Sequence, residues 1–273
     1  MLTLIDSHAH LDFPQFDADR DVVIERAREA GVVQIVNPGT DLKSSRRAVA
    51  LAERYAETYA AVGVHPHDAV TLNDETLSTL AQLADSPYVV AIGEVGLDYY
   101  RDLSPREQQR RAFGQQLALA RSLELPVIVH VRDAHEDAMH ILEREAVGMR
   151  GVLHCFSGDL DVARRAIALG WYISVAGPLT YPNAKRLRNV VSQLPVERLL
   201  VETDCPYLSP QPRRGKRNEP AHVRWVAEQL AETLGVPLER VAEATSRNAR
   251  ELFGLPSVSE ETSEENRSGS RVS

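Results

Sequence analysis

The chain has 273 residues, of which 43% are hydrophobic, and it carries a net charge of −8. This length and composition suit one large α/β domain, and the acidic balance excludes a generally basic, nucleic-acid-binding surface. Any site for a polyanion must therefore be local. No apolar run approaches the roughly 18 residues of a membrane span, and the first residues do not form a cleavable signal.

Cys155 and Cys205 are the two cysteines, which are too few and too far apart for a disulfide framework or a CxxC motif. We therefore expect a cytoplasmic protein, with a monomer favoured. Each cysteine directly follows a candidate ligand, so on a strand it would face outward. We expect both to be small buried residues that contact the covering helices.

Short apolar segments alternate with amphipathic segments along the chain. The apolar segments predict strands at 2–5, 32–36, 59–64, 89–94, 126–130, 151–156, 171–176 and 199–204. The amphipathic segments predict helices at 22–30, 43–55, 73–84, 104–122, 134–145, 161–169, 184–193, 220–234 and 238–253. Residues 95–102 read as a loop, and Ser104-Pro105-Arg106-Glu107 as a capping box.

Eight strand–helix alternations predict an α/β fold of the (β/α)8 TIM-barrel type, with the active site at the C-terminal ends of the strands. No glycine-rich phosphate fingerprint follows the first strand, which weakens a Rossmann-type alternative. We place the barrel at residues 1–255. Residues 256–273 are rich in Ser and Glu without an apolar period, and we expect them to be a disordered polar tail.

Potential metal ligands collect at the predicted strand ends. Six of the nine histidines lie there, although a lone histidine is more often a core or loop residue. The residues at the strand ends are His8, His10, His65, His67, Glu94, His130, His154 and Asp204. Because the strand ends of a barrel converge on one face, this set predicts a metal centre.

Six of these residues are too many for one tetrahedral ion and suit two ions that share a bridge. In two-metal sites of barrels the bridge is often a carbamylated lysine; no lysine lies at a strand end here, so the bridge must be a carboxylate, and Glu94 is the candidate. The expected split places His8, His10 and Asp204 on one ion and His130 and His154 on the other. Mixed nitrogen and oxygen ligands suit Zn, Mn or Mg equally.

Asp204 can also take the proton from an attacking water. Asp6 has the parity of His8, and we expect it either to orient a ligand imidazole or to serve as a capping or structural residue, with equal weight.

A basic segment follows the last strand, at Arg213-Arg214-Gly215-Lys216-Arg217. Barrels often bind phosphate in the last loops, so we predict phosphate contacts from Arg214, Lys216 and Arg217, although a solvated charge run is the simpler alternative. Arg132 and the His65-Pro66-His67 turn are further candidates, His67 the weaker. Tyr99, Tyr100 and Tyr181 are candidates for stacking on bases.

Seven motifs, in order, resemble the TatD family of metal-dependent deoxyribonucleases over roughly residues 2–254. They are Ile5-Asp6-Ser7-His8-Ala9-His10-Leu11-Asp12, Gly63-Val64-His65-Pro66-His67, Gly93-Glu94-Val95-Gly96-Leu97-Asp98-Tyr99, Pro126-Val127-Ile128-Val129-His130-Val131-Arg132-Asp133, His154-Cys155-Phe156-Ser157-Gly158, Glu202-Thr203-Asp204-Cys205-Pro206-Tyr207, and Arg214-Gly215-Lys216-Arg217-Asn218-Glu219-Pro220.

The resemblance implies a TIM barrel of the metallo-dependent hydrolase superfamily and Mg²⁺-supported DNA hydrolysis, with 3′–5′ exonuclease activity in some members. It implies a phosphate-side role for His65. The metal roles that it implies fall on His8, His10, Glu94, His130, His154 and Asp204.

We therefore expect a two-metal deoxyribonuclease in which Asp204, Glu94 and His65 are catalytic and single strands or ends of DNA are the substrate. The alternative on the same scaffold is an amidohydrolase or phosphomonoesterase that acts on a small molecule. A non-catalytic, metal-stabilised binding module is a more remote alternative, because an open coordination site favours chemistry.

Overall fold

Strands and helices alternate through residues 2–257, the part of the chain that the computed structural model describes. The strands are β1 Leu4–Asp6, β2 Val32–Pro38, β3 Thr58–Val62, β4 Val89–Asp98, β5 Val127–Arg132, β6 Gly151–Leu153, β7 Tyr172–Val175 and β8 Leu199–Val201. The helices are α1 Arg20–Glu29, α2 Leu42–Arg54, α3 Asp74–Leu83, α4 Arg106–Ser122, α5 His135–Glu145, α6 Leu160–Ala168, α7 Lys185–Val191, α8 Val223–Leu234 and α9 Leu238–Phe253.

Short side chains fix several of the helix boundaries. Asp41, Asn73 and Asp159 each accept a hydrogen bond from a backbone N–H of the first turn of α2, α3 and α6. Gly235 and Gly254 end α8 and α9 at φ +66°, a left-handed conformation that a side chain disfavours. These caps define where α2, α3 and α6 begin and where α8 and α9 end.

The eight strands are parallel and lie in sequence order from β1 to β8. Backbone hydrogen bonds just beyond the strand ends then join the last strand to the first: Ser7 N–H to Val201 O (3.2 Å), Asp204 N–H to His8 O (2.9 Å) and His10 N–H to Cys205 O (2.8 Å). The sheet therefore closes into the predicted barrel, and the TIM-barrel prediction is confirmed.

Two apolar layers stabilise the barrel. One layer lies between strands and helices and includes Phe113 and Trp171, both fully buried. The other fills the barrel interior, where Ile5 and Ile128 belong to the same cluster as Phe253 from the end of α9. Because α9 packs on β1 and β8 and contributes to this interior layer, its last turn closes the N-terminal end of the barrel. The other end of the barrel, at the carboxyl ends of the strands, is therefore the one available for a functional site.

Strand β4 is longer than predicted. It continues past Glu94 to Asp98, pairing Gly96 with His130 and Asp98 with Arg132 of β5, so the first half of the predicted loop 95–102 is strand. Gly96 permits this close pairing, since its φ is +132° and a Cβ there would lie 2.1 Å from the His130 carbonyl oxygen. The extension carries Asp98 to the same face as Glu94.

The predicted capping box at the start of α4 is wrong. No side chain caps that helix, and the Ser104 hydroxyl donates instead to the carbonyl oxygen of His67, at 2.7 Å. The hydroxyl that would accept from a backbone N–H of the first turn instead donates to a carbonyl of the loop after β3.

One residue beyond the predicted end of the barrel at 255, the Pro256 carbonyl oxygen accepts a hydrogen bond from Gln34 Nε2 at 3.0 Å. The predicted tail beyond Ser257 lies outside the described residues. Within the described residues, no helix combines the length and the apolar character that crossing a membrane requires.

Candidate metal centre at the carboxyl ends of the strands

The barrel brings all six predicted metal ligands together at its open end. They come from the ends of five strands, and their chain positions run from 8 to 204. His8, His10, Glu94 and His154 are buried, whereas His130 and Asp204 are partly exposed and border the opening. This arrangement matches a centre that is enclosed by protein but open to solvent on one side.

The Glu94 carboxylate lies between two pairs of histidines. Its Oε2 is 3.4 Å from His8 Nε2 and 3.6 Å from His10 Nε2. Its Oε1 is 2.9 Å from both His130 Nδ1 and His154 Nε2. The two oxygens of one carboxylate therefore face two separate pairs of nitrogens, as a bridging ligand would.

Asp204 completes the first group of ligands. Its Oδ1 is 3.4 Å from His10 Nε2 and 3.7 Å from His8 Nε2, and the two Nε2 atoms are 3.2 Å apart. The backbone of Asp204 is left-handed, with φ +54°, a strained conformation of the kind that clusters at functional sites.

His65 joins the second group of ligands instead of the solvent-facing rim. Its Nε2 lies 3.4 Å from Glu94 Oε1, and the residue is buried. Burial lowers the pKa of His65 to about 4, so the imidazole is neutral at pH 7. The predicted phosphate-side role would therefore have to be exercised from inside the cluster.

Two carboxylates that the sequence analysis did not assign fix the orientation of the second histidine pair. Asp98 Oδ2 is 3.1 Å from His130 Nε2, and Glu202 Oε1 is 3.2 Å from His154 Nδ1. Asp98 is four positions after Glu94 and Glu202 two before Asp204, so in a strand each points to the same face as its partner. This even spacing is the signal that could have identified both residues, but the predicted fourth strand ended at residue 94 and did not include Asp98.

These contacts determine which imidazole nitrogen carries the proton. Burial alone would raise the pKa of the Asp98 carboxyl, but hydrogen bonds from His130 and the Arg101 backbone, among others, hold it below its usual range. Asp98 is thus an acceptor, and His130 must donate from Nε2. Glu202 Oε1 accepts from Cys155 N–H (2.7 Å), which identifies this oxygen as an acceptor, so His154 donates to it from Nδ1 (3.2 Å).

The bare nitrogens that remain, His130 Nδ1 and His154 Nε2, both point at Glu94. His10 also directs an unprotonated nitrogen inward. Its Nδ1 donates to the Pro38 carbonyl oxygen at 3.3 Å, and its Nε2 faces the two carboxylates. Lone pairs facing carboxylate oxygens repel each other unless positive charge lies between them. The donor set therefore fits divalent cations, and its mixture of nitrogen and oxygen suits Zn, Mn or Mg.

The pKa directions agree with an anionic Glu94. Burial alone would raise the pKa of its carboxyl, but the facing imidazoles, His154 first among them, hold it well below the usual range when they carry a proton towards the carboxylate, and a bound cation would take the place of that proton. Burial likewise opposes ionisation of Asp204, and a proton shared with His10, together with the nearby His8, keeps its pKa below the ordinary value in the same way. Both carboxylates are ionised at pH 7.

Asp6 does not contact an imidazole. Its carboxylate accepts from Thr203 N–H (2.9 Å), from the Thr203 hydroxyl (2.5 Å) and from the backbone N–H of His8 (3.3 Å). Of the two expected roles, the contacts support the structural one: Asp6 joins the end of β1 to the end of β8.

Two of the predicted phosphate-binding arginines lie at the rim, each with its guanidinium over a tyrosine ring. Arg132 lies 3.8 Å from the ring centre of Tyr100, and Arg214 lies 4.1 Å from that of Tyr181. Lys216 is exposed beside Arg214. These pairs present cations and aromatic rings together, as a nucleic-acid site requires.

Arg217, a predicted phosphate contact, is engaged in an ion pair. Its guanidinium forms a two-point ion pair with Asp19, at 2.8 and 2.7 Å, and also donates to the Gln15 carbonyl oxygen. These contacts engage both terminal nitrogens of the guanidinium and join the basic segment to the start of α1. The phosphate prediction for Arg217 therefore lacks support from its contacts.

Tyr99 and Cys155 lie in different surroundings from those expected. Tyr99 donates its hydroxyl proton to Asp137 of α5 at 2.7 Å, so it is held against the helices instead of on an open face. Cys155 is partly exposed, and it lines a cavity on the ligand-bearing face instead of facing outward, whereas Cys205 is buried as expected. His67 lies 2.9 Å from Asp98 Oδ2, on the outer side of His130.

Comparisons with known proteins cover nearly the whole barrel. The family model described as TatD related DNase matches residues 5–254. The chain is 47% identical over 253 residues to the uncharacterized metal-dependent hydrolase YabD of Bacillus subtilis, covering 92% of this chain and 99% of that protein. It is 42% identical over 256 residues to a Cronobacter turicensis protein named 3′-5′ ssDNA/RNA exonuclease TatD, covering 92% and 97%.

A solved structure resembles the fold equally closely. The crystal structure of YjjV, a TatD homologue from Escherichia coli, gives a TM-score of 0.89 at 38% sequence identity, covering 94% of this chain and 100% of that chain.

Proposed function

Since the chain belongs to the family of TatD-related DNases and is a metal-dependent hydrolase, we propose that it cleaves phosphodiester bonds in DNA, removing nucleotides from the 3′ ends of single strands. The observation that carries this proposal is the placement of Glu94 between two histidine pairs, next to a rim of arginines. The name of the Cronobacter relative supports single-stranded nucleic acid as the substrate.

We propose two divalent cations, with Mg²⁺ in function and Zn²⁺ or Mn²⁺ as substitutes. His8, His10 and Asp204 would hold one, His130 and His154 the other, and Glu94 both. Such cations, when bound, polarise a phosphoryl oxygen and lower the pKa of a water molecule. The buried side chains exclude bulk water, which strengthens every electrostatic interaction within the centre.

The chain's own residues would orient the substrate and move the proton. Arg132, Arg214 and Lys216 bind phosphate oxygens at the rim. Asp204, ionised and partly exposed at the opening, accepts the proton of the attacking water. His65, neutral and buried beside Glu94, offers one nitrogen to the centre or to a phosphate oxygen drawn into it.

Location and assembly belong to the same proposal. Cys155 and Cys205 are both free thiols, as a reducing compartment favours, and we propose a cytoplasmic monomer.

The proposal is tested by incubating the protein with end-labelled single- and double-stranded oligonucleotides in Mg²⁺, Mn²⁺, Zn²⁺ or Co²⁺ and mapping the product ends. We expect shortening from the 3′ end of single strands, with a loss of at least about 100-fold in Glu94→Gln and Asp204→Asn. Glu197→Gln, which alters an exposed carboxylate paired with Arg240, is the matched control.

DNA left intact in every metal would refute the proposal. If the same protein then hydrolysed small phosphate esters or cyclic amides, the small-molecule alternative would replace it.

A further inference from the structure

A cavity of about 320 Å³ opens beside the metal centre, outside the set of candidate ligands. The loop after β6 and the segment from β7 to α7 form its walls. The principal lining residues are Cys155, Phe156, Tyr181, Ala184, Arg186 and Leu187. No role has been assigned so far to this cavity, and its volume is at the lower end of the range for small-ligand pockets.

The cavity and the metal centre share a wall. Cys155, which lines the cavity, directly follows His154, and its backbone N–H donates to Glu202 Oε1 at 2.7 Å. The same carboxylate oxygen lies 3.2 Å from His154 Nδ1. A molecule in the cavity therefore sits one residue away from a candidate ligand of the second metal.

The lining combines apolar surfaces with a few polar groups at the edge. Phe156 is buried, and Leu187 and Ala184 add aliphatic surface from the start of α7. Asn183 and Arg186 are exposed and supply hydrogen-bond donors at the mouth. A nucleobase, which has flat apolar faces and a polar rim, matches this arrangement.

Tyr181 connects the cavity with the basic segment. Its hydroxyl donates to the Ser209 carbonyl oxygen at 3.1 Å, which fixes the ring, and the Arg214 guanidinium lies 4.1 Å from the ring centre. Tyr181 therefore borders both the cavity and a candidate phosphate-binding cation. A single strand whose terminal base lies in the cavity would pass beside Arg214.

We propose that this cavity binds the base of the 3′-terminal nucleotide while its phosphate lies at the metal centre. The inference rests on the proposed function, because it assigns a subsite to the same substrate. Base stacking against protein side chains stabilises single-strand binding by about 1–3 kcal/mol per base, so an occupied cavity corresponds to roughly a tenfold or greater preference for nucleotides that carry a base.

Filling the cavity tests the proposal. Ala184→Phe places a ring in the space that the base would occupy, and Ala184→Leu fills it partly, should the larger change unfold α7. Ala118→Phe is the matched control, because Ala118 is exposed on the outer face of α4, outside this cavity. The melting temperature of each variant reports whether it is folded.

Two measurements decide the outcome. In EDTA, calorimetry compares deoxyadenosine 5′-monophosphate with deoxyribose 5-phosphate, and we expect about tenfold tighter binding of the nucleotide, lost in Ala184→Phe and kept in Ala118→Phe. In Mn²⁺, oligonucleotides ending in a normal or an abasic 3′ nucleotide are digested. We expect the unmodified protein to favour the normal end about tenfold and Ala184→Phe to digest both equally slowly.

The failures of the two proposals are distinguishable. Digestion of normal and abasic ends at equal rates would overturn the cavity assignment and leave the nuclease proposal intact. Absence of any digestion would overturn the nuclease proposal, and the EDTA titration would still decide the cavity: equal affinity for the two phosphates overturns it.

Discussion

His130 and His154 each place one nitrogen against a carboxylate on the outside and the other nitrogen against Glu94 on the inside. The outer carboxylates, Asp98 and Glu202, thereby determine which lone pairs point inward. Orientation of ligand imidazoles by a second carboxylate is a general device of metal centres. At the residue scale, the centre therefore consists of at least nine side chains: the six predicted ligands, His65, and the two outer carboxylates, which had no predicted role.

His222 lies outside the centre, and its protonation state also affects the stability of the fold. It is buried at the start of α8, with Nδ1 2.9 Å from Asn218 Oδ1, and Asn218 Nδ2 donates to the carbonyl oxygens of Thr203 and Tyr207. Burial lowers the pKa of His222 from 6.5 to about 4. Neutral His222 thus stabilises the connection between the basic segment and β8.

We expect protonation of this residue to contribute to acid destabilisation. Between pH 6.5 and about 4 the unfolded chain binds the proton and the folded chain does not, so the free energy of unfolding falls as the pH falls through this window. In His222→Gln this part of the fall is absent. The difference should reach about 1 kcal/mol, because partial solvation reduces the effect of the full shift.

Urea unfolding at pH 7 and pH 4.5 measures the effect, with His140→Gln, an exposed helix residue, as control. An identical pH dependence in His222→Gln and in the unmodified protein would contradict the expectation.

At the element scale, the basic segment after β8 divides into two parts. Arg217 pairs with Asp19, and Glu219, two residues later, pairs with Arg26 of α1, so this half of the segment is attached to the first helix. Arg214 and Lys216 lie on the other half, towards Tyr181 and the rim. A run of charges that looks uniform in sequence thus contains anchoring residues and candidate substrate contacts.

This division predicts that substitution of Arg214 changes nucleic-acid affinity, whereas substitution of Arg217 changes stability. Arg214→Gln should reduce the slope of log affinity against log salt for a single-stranded oligonucleotide by about 0.7, because one phosphate contact is lost. Arg217→Gln should leave that slope unchanged and lower the stability by about 1 kcal/mol. Fluorescence anisotropy in EDTA at several salt concentrations gives the slopes, and urea unfolding gives the stability. A reduced slope in Arg217→Gln would restore its predicted phosphate role.

At the scale of the whole molecule, the candidate ligands come from five strands that only barrel closure brings together. Cations that bind the folded chain but not the unfolded chain would therefore stabilise the entire barrel. The surface as a whole is acidic, with a net charge of −8, so the attraction of a polyanion must depend on the rim arginines and on bound cations.

We expect chelation to lower the melting temperature. At a free metal concentration of 100 times Kd, each bound ion adds about 2.7 kcal/mol to the free energy of unfolding, which is roughly 5–10 °C for a barrel of this size. Scanning calorimetry in EDTA and in Mn²⁺ measures the difference. Glu94→Gln should lose most of it, and Glu202→Gln part of it. Equal melting temperatures with and without metal in the unmodified protein would argue against resident ions.

The sequence alone determined the barrel and the polar residues that converge at its open end, because both are expressed in local patterns. Continuous apolar segments followed by amphipathic ones predict a parallel sheet covered by helices, and polar residues at the ends of such strands must converge. The absence of lysine at the strand ends made Glu94 the candidate bridge before any distance was known.

Only the tertiary structure decided which polar side chains already have hydrogen-bond or ion-pair partners within the protein. Arg217 meets Asp19 across 198 positions, Ser104 prefers the carbonyl oxygen of His67 to its own helix, and Asp98 reaches His130 because β4 continues its pairing with β5. Such contacts join residues that are distant in the chain, and no periodicity encodes them. The same reason explains why the cavity beside His154 could not be predicted: its walls come from separate loops that become neighbours only when the barrel closes.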